Sequence, residues 1–270
     1  MRATSGAKKL LFSAMILCLG SISGISQAGV LDLTTPGSDG TVNGAYFTTS
    51  DEHSTGTGVI QSFVEIGGAN LTTVQGYNTT VNGIFDNGSA DNFNHAITLG
   101  SVPTVLIDGV YYREFGLDIN QAGTEPAYFS LDEIQLFVGG SANPSVTDFA
   151  SGILNVAGLG YSLVYQLDAG VDSWILLDYR NNEGSGSGDM YFYVPNEMFG
   201  GALASANVLL YSKFGATSPW FNNDGFEEWF LNCEVGTVCT PDNNVPVPAT
   251  LALLGLGALG LGLSRRRKLA

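Results

Sequence analysis

The chain has 270 residues, with 10 Lys and Arg against 25 Asp and Glu, and a formal charge of −15. Every acid falls between Asp32 and Asp242, where only Arg113, Arg180 and Lys213 oppose them, so this central part alone carries −22. Such a field repels nucleic acid and anionic lipid headgroups, which excludes a DNA- or RNA-binding role, and it suits divalent cations.

At the N-terminus, Arg2, Lys8 and Lys9 precede an apolar run from Leu10 to Leu19. Ser26-Gln27-Ala28 then puts small residues at the two positions that signal peptidase reads. The pattern predicts a signal peptide over residues 1–28, cleaved between Ala28 and Gly29. Its apolar run is too short to cross a bilayer core of about 30 Å comfortably. Cys18 follows Leu17, where lipidation needs a small residue, so no lipid anchor is expected.

From Gly29 onward, Gly, Asn, Ser and Thr are abundant, aromatics are plentiful and apolar runs are short. That profile predicts an all-β domain with many turns, since a disordered segment would hold far fewer aromatic and β-branched residues. Strands are expected at Tyr46 to Thr49 and at Val59 to Ile66. Thr104 to Ile107, the turn Asp108-Gly109 and Val110 to Phe115 read as a hairpin. Phe115, Leu117 and Ile119 alternate with Gly116 and Asp118, which predicts one core face and one polar face.

Similar alternation covers Ile134 to Val138 and Leu163 to Leu167, while Trp174 to Tyr179 is apolar on nearly both sides. Met190 to Val194, Asn207 to Phe214 and Phe226 to Leu231 complete the expected strands. Only Ser151 to Gly158 and Asn196 to Ala204 read as helical. Strands without interleaved long helices predict a β-sandwich or jelly roll over residues 29–240.

Glu227-Glu228 is an acidic pair, but neighbours in a strand point to opposite faces and could not flank one glycosidic bond. A solvated strand end is the expectation there. His53 and His95 are the only histidines, and neither lies in a ligand spacing. No catalytic residue is therefore assigned and no enzyme is expected, with a secreted carbohydrate-active enzyme as the alternative.

Calcium is the candidate cofactor, because hard cations take carboxylate and carbonyl oxygens on Gly/Asn-rich loops. Asp86 and Asp91 in the 86–92 loop and Asp224 in Asn222-Asn223-Asp224-Gly225 are the candidate ligands. Exposed aromatics such as Trp220, Phe221 and Trp229 could bind exopolysaccharide, although a core position is the simpler expectation for Trp229. The Thr pairs at 34–35, 48–49, 72–73 and 79–80 raise ice binding, which usually needs a regular repeat that this chain lacks. Cys233 and Cys239 remain after signal removal, and an oxidising compartment favours a small-loop disulfide between them. A metal pair is the rival reading, poor without nearby His.

The C-terminal end is tripartite. Residues 241–248 form a linker whose close, Val245-Pro246-Val247-Pro248, runs into Ala249-Thr250 and an uncharged stretch to Leu263. As a helix, Ala249 to Leu263 measures about 22 Å, short for a permanent span. Residues 249–264 are the expected membrane helix, and the tail 265–270 with Arg265-Arg266-Arg267-Lys268 should stay on the cytoplasmic side.

The Pro-x-Pro-Ala-Thr opening, Gly-punctuated apolar stretch and Arg cluster resemble the PEP-CTERM sorting signal, a tail also labelled an ice-binding-protein C-terminal domain. Val247 stands where the name motif has Glu. The resemblance implies export, an inner-membrane stage, an exosortase-type sorting enzyme as partner, and a place at the cell surface or in an exopolysaccharide-rich biofilm matrix. Tyr112 to Asn120, Ser130 to Gln135, Gly186 to Met190 and Asn223 to Trp229 are also similar to segments of an uncharacterised group of PEP-CTERM ectodomains.

Overall fold

The computed structural model describes residues 29–49, 62–68, 70–88, 93–121, 127–182, 188–223 and 225–232. The first strands are β1 (Gly29–Asp32), β2 (Asp39–Val42), β3 (Ala45–Thr48), β4 (Ser62–Gly67), β5 (Val74–Tyr77) and β6 (Ile97–Thr98). Next come β7 (Thr104–Ile107), β8 (Val110–Asp118), β9 (Tyr128–Gly139), β10 (Phe149–Ala150), β11 (Ile153–Leu154) and β12 (Tyr161–Gln166). The last are β13 (Ser173–Asp178), β14 (Met190–Pro195), β15 (Asn207–Phe214) and β16 (Phe226–Phe230).

Among the described residues the strands form two seven-stranded sheets and the separate β10–β11 pair. One runs β1-β13-β9-β15-β5, with β12 also on β9 and β6 on β15; the other runs β2-β3-β14-β8-β16-β4, with β7 on β8. Pairing is antiparallel except between β1 and β13. Among the described residues the helices are single 3-10 turns, and none is long and apolar enough to cross a membrane.

Turn chemistry fixes the local hairpins. Asp108 and Gly109 both take left-handed φ, 49° and 83°, as a two-residue turn between right-twisted strands requires. Asn43-Gly44 does the same between β2 and β3, at 49° and 86°. The inward residues of both sheets then share one core, joining Phe47, Phe115, Phe192 and Trp229 to Leu136, Ile175 and Leu210. Trp229 Nε1 on β16 donates to Ser212 Oγ on β15 at 2.9 Å, which satisfies the buried indole across the seam.

The expected polar faces are largely covered. On β9, Gln135 and Phe137 are buried beneath the β10–β11 hairpin. Gln135 Nε2 donates to Gly152 O, and Gln135 Oε1 accepts from Leu154 N–H. The expected helix at Ser151 to Gly158 is thus a hairpin plus a 3-10 turn, because Gln135 captures the backbone groups and Ser151 and Gly152 adopt positive φ. The expected helix at Asn196 to Ala204 stops after Phe199, where Gly200 and Gly201 turn left-handed. On β12 a register shift between Leu163 and Tyr165 leaves Leu163 exposed while Tyr165 and Leu167 remain inside.

Candidate functional site

Of the predicted calcium ligands, Asp86 is a structural turn residue. Its Oδ2 accepts from Gln75 N–H and its own N–H donates to Gln75 O. Burial pushes its carboxyl above the usual range, partly offset by the Gln75 hydrogen bond. Asp91, Asp224, Cys233, Cys239, Ala28 and the tail residues Val245 to Arg267 lie outside the described residues, as does His53. Among the described residues, no three acidic, imidazole or thiol side chains are grouped to hold a metal. The neighbouring backbone N–H of His95 donates to Phe63 O, and burial lowers the pKa of its half-buried imidazole.

Trp229 is fully buried and leaves the list of surface aromatics. Trp229 thus takes the core position that was the simpler expectation, whereas Glu227, expected as a solvated strand end, is 0% exposed. It shares the inward parity of Trp229, two residues on, and its oxygens are held by Asn120 N–H (3.0 Å) and Gln121 Nε2 (2.7 Å). Gln121 is clamped in turn, donating to Asn222 Oδ1 and accepting from Asn223 N–H. Gly225 makes this approach possible. Its φ is +86°, and a Cβ there would lie 1.8 Å from Asn120 O.

Two further acids lie beside Glu227. Asp118, 1% exposed, closes β8; Asp189, 6% exposed, immediately precedes β14. Asp189 N–H donates to Leu117 O at 2.7 Å, and Asp189 Oδ2 accepts from Ile119 N–H at 2.7 Å. This brackets the end of β8 and brings the Asp118 and Asp189 carboxyls within hydrogen-bonding range. Burial pushes both Asp189 and Glu227 well above ordinary carboxylate values, and the neighbouring acids add to the rise. The Ile119 and Asn120 N–H groups oppose it. The sequence hinted at Glu227 alone, in step with Trp229; Asp118 has the opposite parity, in register with Glu228, and its burial is not written in the alternation.

A second feature occupies the outer face of the other sheet. Trp174 on β13 and Trp220 in the loop after β15 lie with ring centroids 4.9 Å apart and planes inclined by 34°. Both are half-buried, and Phe221 beside them is exposed. Asp132 on β9 anchors the loop by accepting from Ala216 N–H and from Thr217 Oγ1. Ser130 on the same strand donates to Trp220 O. Nearby, Arg180 pairs with both oxygens of Asp178 and lies 5.2 Å from the Tyr128 ring centre. That ion pair holds the Asp178 carboxyl below its ordinary range.

Residues 244–268 match the family model of the PEP-CTERM protein-sorting motif, which takes in the Pro-Val-Pro-Ala-Thr opening, the apolar stretch and the Arg cluster. The chain carries a PEP-CTERM tail. The motif implies export, membrane-anchored sorting and recognition by exosortase-type machinery. No curated protein and no solved structure matches the chain.

The PEP-CTERM tail follows β16, so the strand bearing Glu227 is the last one described before the sorting segment. At the other end β1 starts at Gly29, whose N–H donates to Asp172 O at 2.9 Å. Cleavage before Gly29 would keep that strand whole. N-terminal sequencing of the exported chain should therefore return Gly-Val-Leu-Asp; retention of Met1 would contradict the assignment. Elsewhere, a 390 Å³ depression between β9, β12 and the 198–202 turn is lined by apolar, Ser and Gly residues, with no titratable side chain.

Proposed function

We propose that this chain is an exported, membrane-sorted surface or extracellular-matrix protein whose sandwich, of jelly-roll type, binds exopolysaccharide without cleaving it. The observation that carries the reading is the Trp174–Trp220 pair, two partly exposed indoles held on a rigid sheet face by Asp132 and Ser130. Rigid aromatic rings offer large contact area at small entropic cost, and the C–H face of a sugar ring supplies an apolar surface to match. Phe221 extends the platform, while Tyr128 with Arg180 adds polar contacts at its edge.

Binding without turnover fits the placement of the acids. Asp118, Asp189 and Glu227 are buried, and they belong to the sheet that does not carry the indole pair, whereas a glycosidase sets two carboxylates about 5–10 Å apart around an accessible bond. The threonine pairs do not favour ice binding, since Thr48 and Thr79 are buried and bonded to backbone carbonyls.

Affinity electrophoresis of the full chain in gels containing neutral bacterial exopolysaccharides tests this reading. Retardation is expected for the wild type, and Trp174→Ala with Trp220→Ala should weaken it at least about tenfold, the loss of one to two good aromatic contacts. Equal retardation of the variant would sink the platform. Release of reducing ends by the wild type would replace binding with a carbohydrate-active enzyme.

A further inference from the structure

The acid cluster between β8, β14 and β16 is expensive as it stands. Asp118 on β8, Asp189 just before β14 and Glu227 on β16 all are buried, and the three strands are neighbours. Two carboxylates in contact cannot both be ionised unless a cation compensates them. The three basic side chains between Gly29 and Asn244 are engaged elsewhere. Arg113 donates to Asn196 and to two backbone carbonyls, Arg180 pairs with Asp178, and Lys213 lies by Asp132, Glu133 and Asp168.

The geometry distinguishes the three acids. Both Glu227 oxygens are taken by Asn120 and Gln121, and Asp189 Oδ2 is taken by Ile119. Asp189 Oδ1 is left with no donor although it is buried, and the Asp118 carboxyl lies beside the same side chain. That orphaned oxygen is the independent sign of a missing partner, because a buried acceptor without a donor keeps the full penalty of its lost hydration.

We propose that Asp118 and Asp189 bind a calcium ion at the end of β8 and β14, with Glu227 as a flanking charge that does not ligate. Oxygen-only surroundings with neither imidazole nor thiol select a hard cation. Since both Glu227 oxygens are already taken, the ion has two carboxylates and fills its six to eight positions with neutral oxygens and water. Its charge replaces the proton that the carboxyl pair would otherwise share, and that proton is released to solvent on binding. This site is independent of the polysaccharide reading and differs from the Asp86, Asp91 and Asp224 positions expected from loop composition.

The purified full-length chain is titrated with calcium chloride by calorimetry. It is also melted in excess chelator, millimolar calcium, millimolar magnesium and sodium chloride of matched ionic strength. Calcium should raise the midpoint above both the magnesium and the sodium arms. Asp189→Asn should abolish that increment and cost more than about tenfold in affinity, while melting no lower than the wild type in chelator. Asp86→Asn should keep the calcium increment.

Equal melts of the wild type in calcium and matched sodium would overturn the site, as would an undiminished increment in Asp189→Asn. Should that variant fail to fold, the wild type decides through terbium luminescence excited at its aromatic residues. Calcium should displace the terbium signal, and a signal that calcium leaves unchanged would overturn the site.

Discussion

Phe192→Ala is expected to cost about 3–5 kcal/mol, a large part of the roughly 5–15 kcal/mol that holds a typical domain folded. The ring is 0% exposed and sits at the seam between the sheets. It stacks on Phe47 of β3 at 5.0 Å and lies 5.7 Å from Phe115 of β8, the strands paired on either side of β14. Tyr165 reaches it from the opposite sheet at 5.2 Å, and Trp229 presents an edge at 6.1 Å. Truncation removes the shared neighbour of four aromatic rings, none of which can collapse into the gap without leaving its own strand register.

Urea unfolding followed by tryptophan fluorescence measures the effect. The midpoint should fall sharply with little change in slope, since the surface exposed on unfolding is nearly the same. Leu203→Ala provides the contrast, because Leu203 is 74% exposed and such surface changes usually stay within about 0.5 kcal/mol. A Phe192→Ala loss under about 1 kcal/mol would mean that the two sheets do not meet at this ring.

The elements legible in the sequence were those written in local chemistry. Asp108-Gly109 demanded a two-residue turn, and β7 ends and β8 begins on either side of it as expected, although β8 runs on past Phe115 to Asp118. Ile134, Leu136 and Val138 showed their inward face through alternation alone. What failed depended on partners far along the chain. Nothing near Ser151 announces that Gln135 will take the carbonyl of Gly152 and the N–H of Leu154.

The candidate sites were hidden for the same reason. Asp118, Asp189 and Glu227 meet because β8 lies between β14 and β16, an order that local pattern does not specify. The paired indoles are 46 positions apart and meet only when the 215–221 loop is pinned to β9. The acidic pair Glu227-Glu228 splits onto two faces, as adjacent strand residues must. Which face faced inward was readable from Trp229, yet a carboxylate on the core side runs against the usual cost of burying charge.

In excess chelator the protein is expected to gain stability as pH falls from neutral toward the ordinary carboxylate range near 4, the reverse of common acid denaturation. The sign follows from which state binds more protons. Burial raises the carboxyls of Asp189 and Glu227 in the folded protein, with the neighbouring acids adding to the rise. Burial also raises Asp132, Glu133, Asp168, Glu65 and Asp86. The folded chain therefore takes up protons at a higher pH than the unfolded chain, so acidification favours it until those groups protonate in both states.

Asp178 acts in the opposite sense, because Arg180 holds its carboxyl down. Its contribution is present above the ordinary aspartate range and is lost as pH falls through its depressed value, which closes the window on the acid side. The measurement is a series of thermal melts from neutral to acidic pH, and each kcal/mol gained should move the midpoint by about 2–4 °C in a domain of this size. Relief of repulsion among surface acids would give the same sign, but 0.5 M sodium chloride shortens the screening length to a few ångströms and should flatten only that part. Glu227→Gln should reduce the slope that survives in salt. A midpoint that falls steadily from neutral pH would mean that these acids are ionised and compensated in the folded protein, contrary to the cluster described.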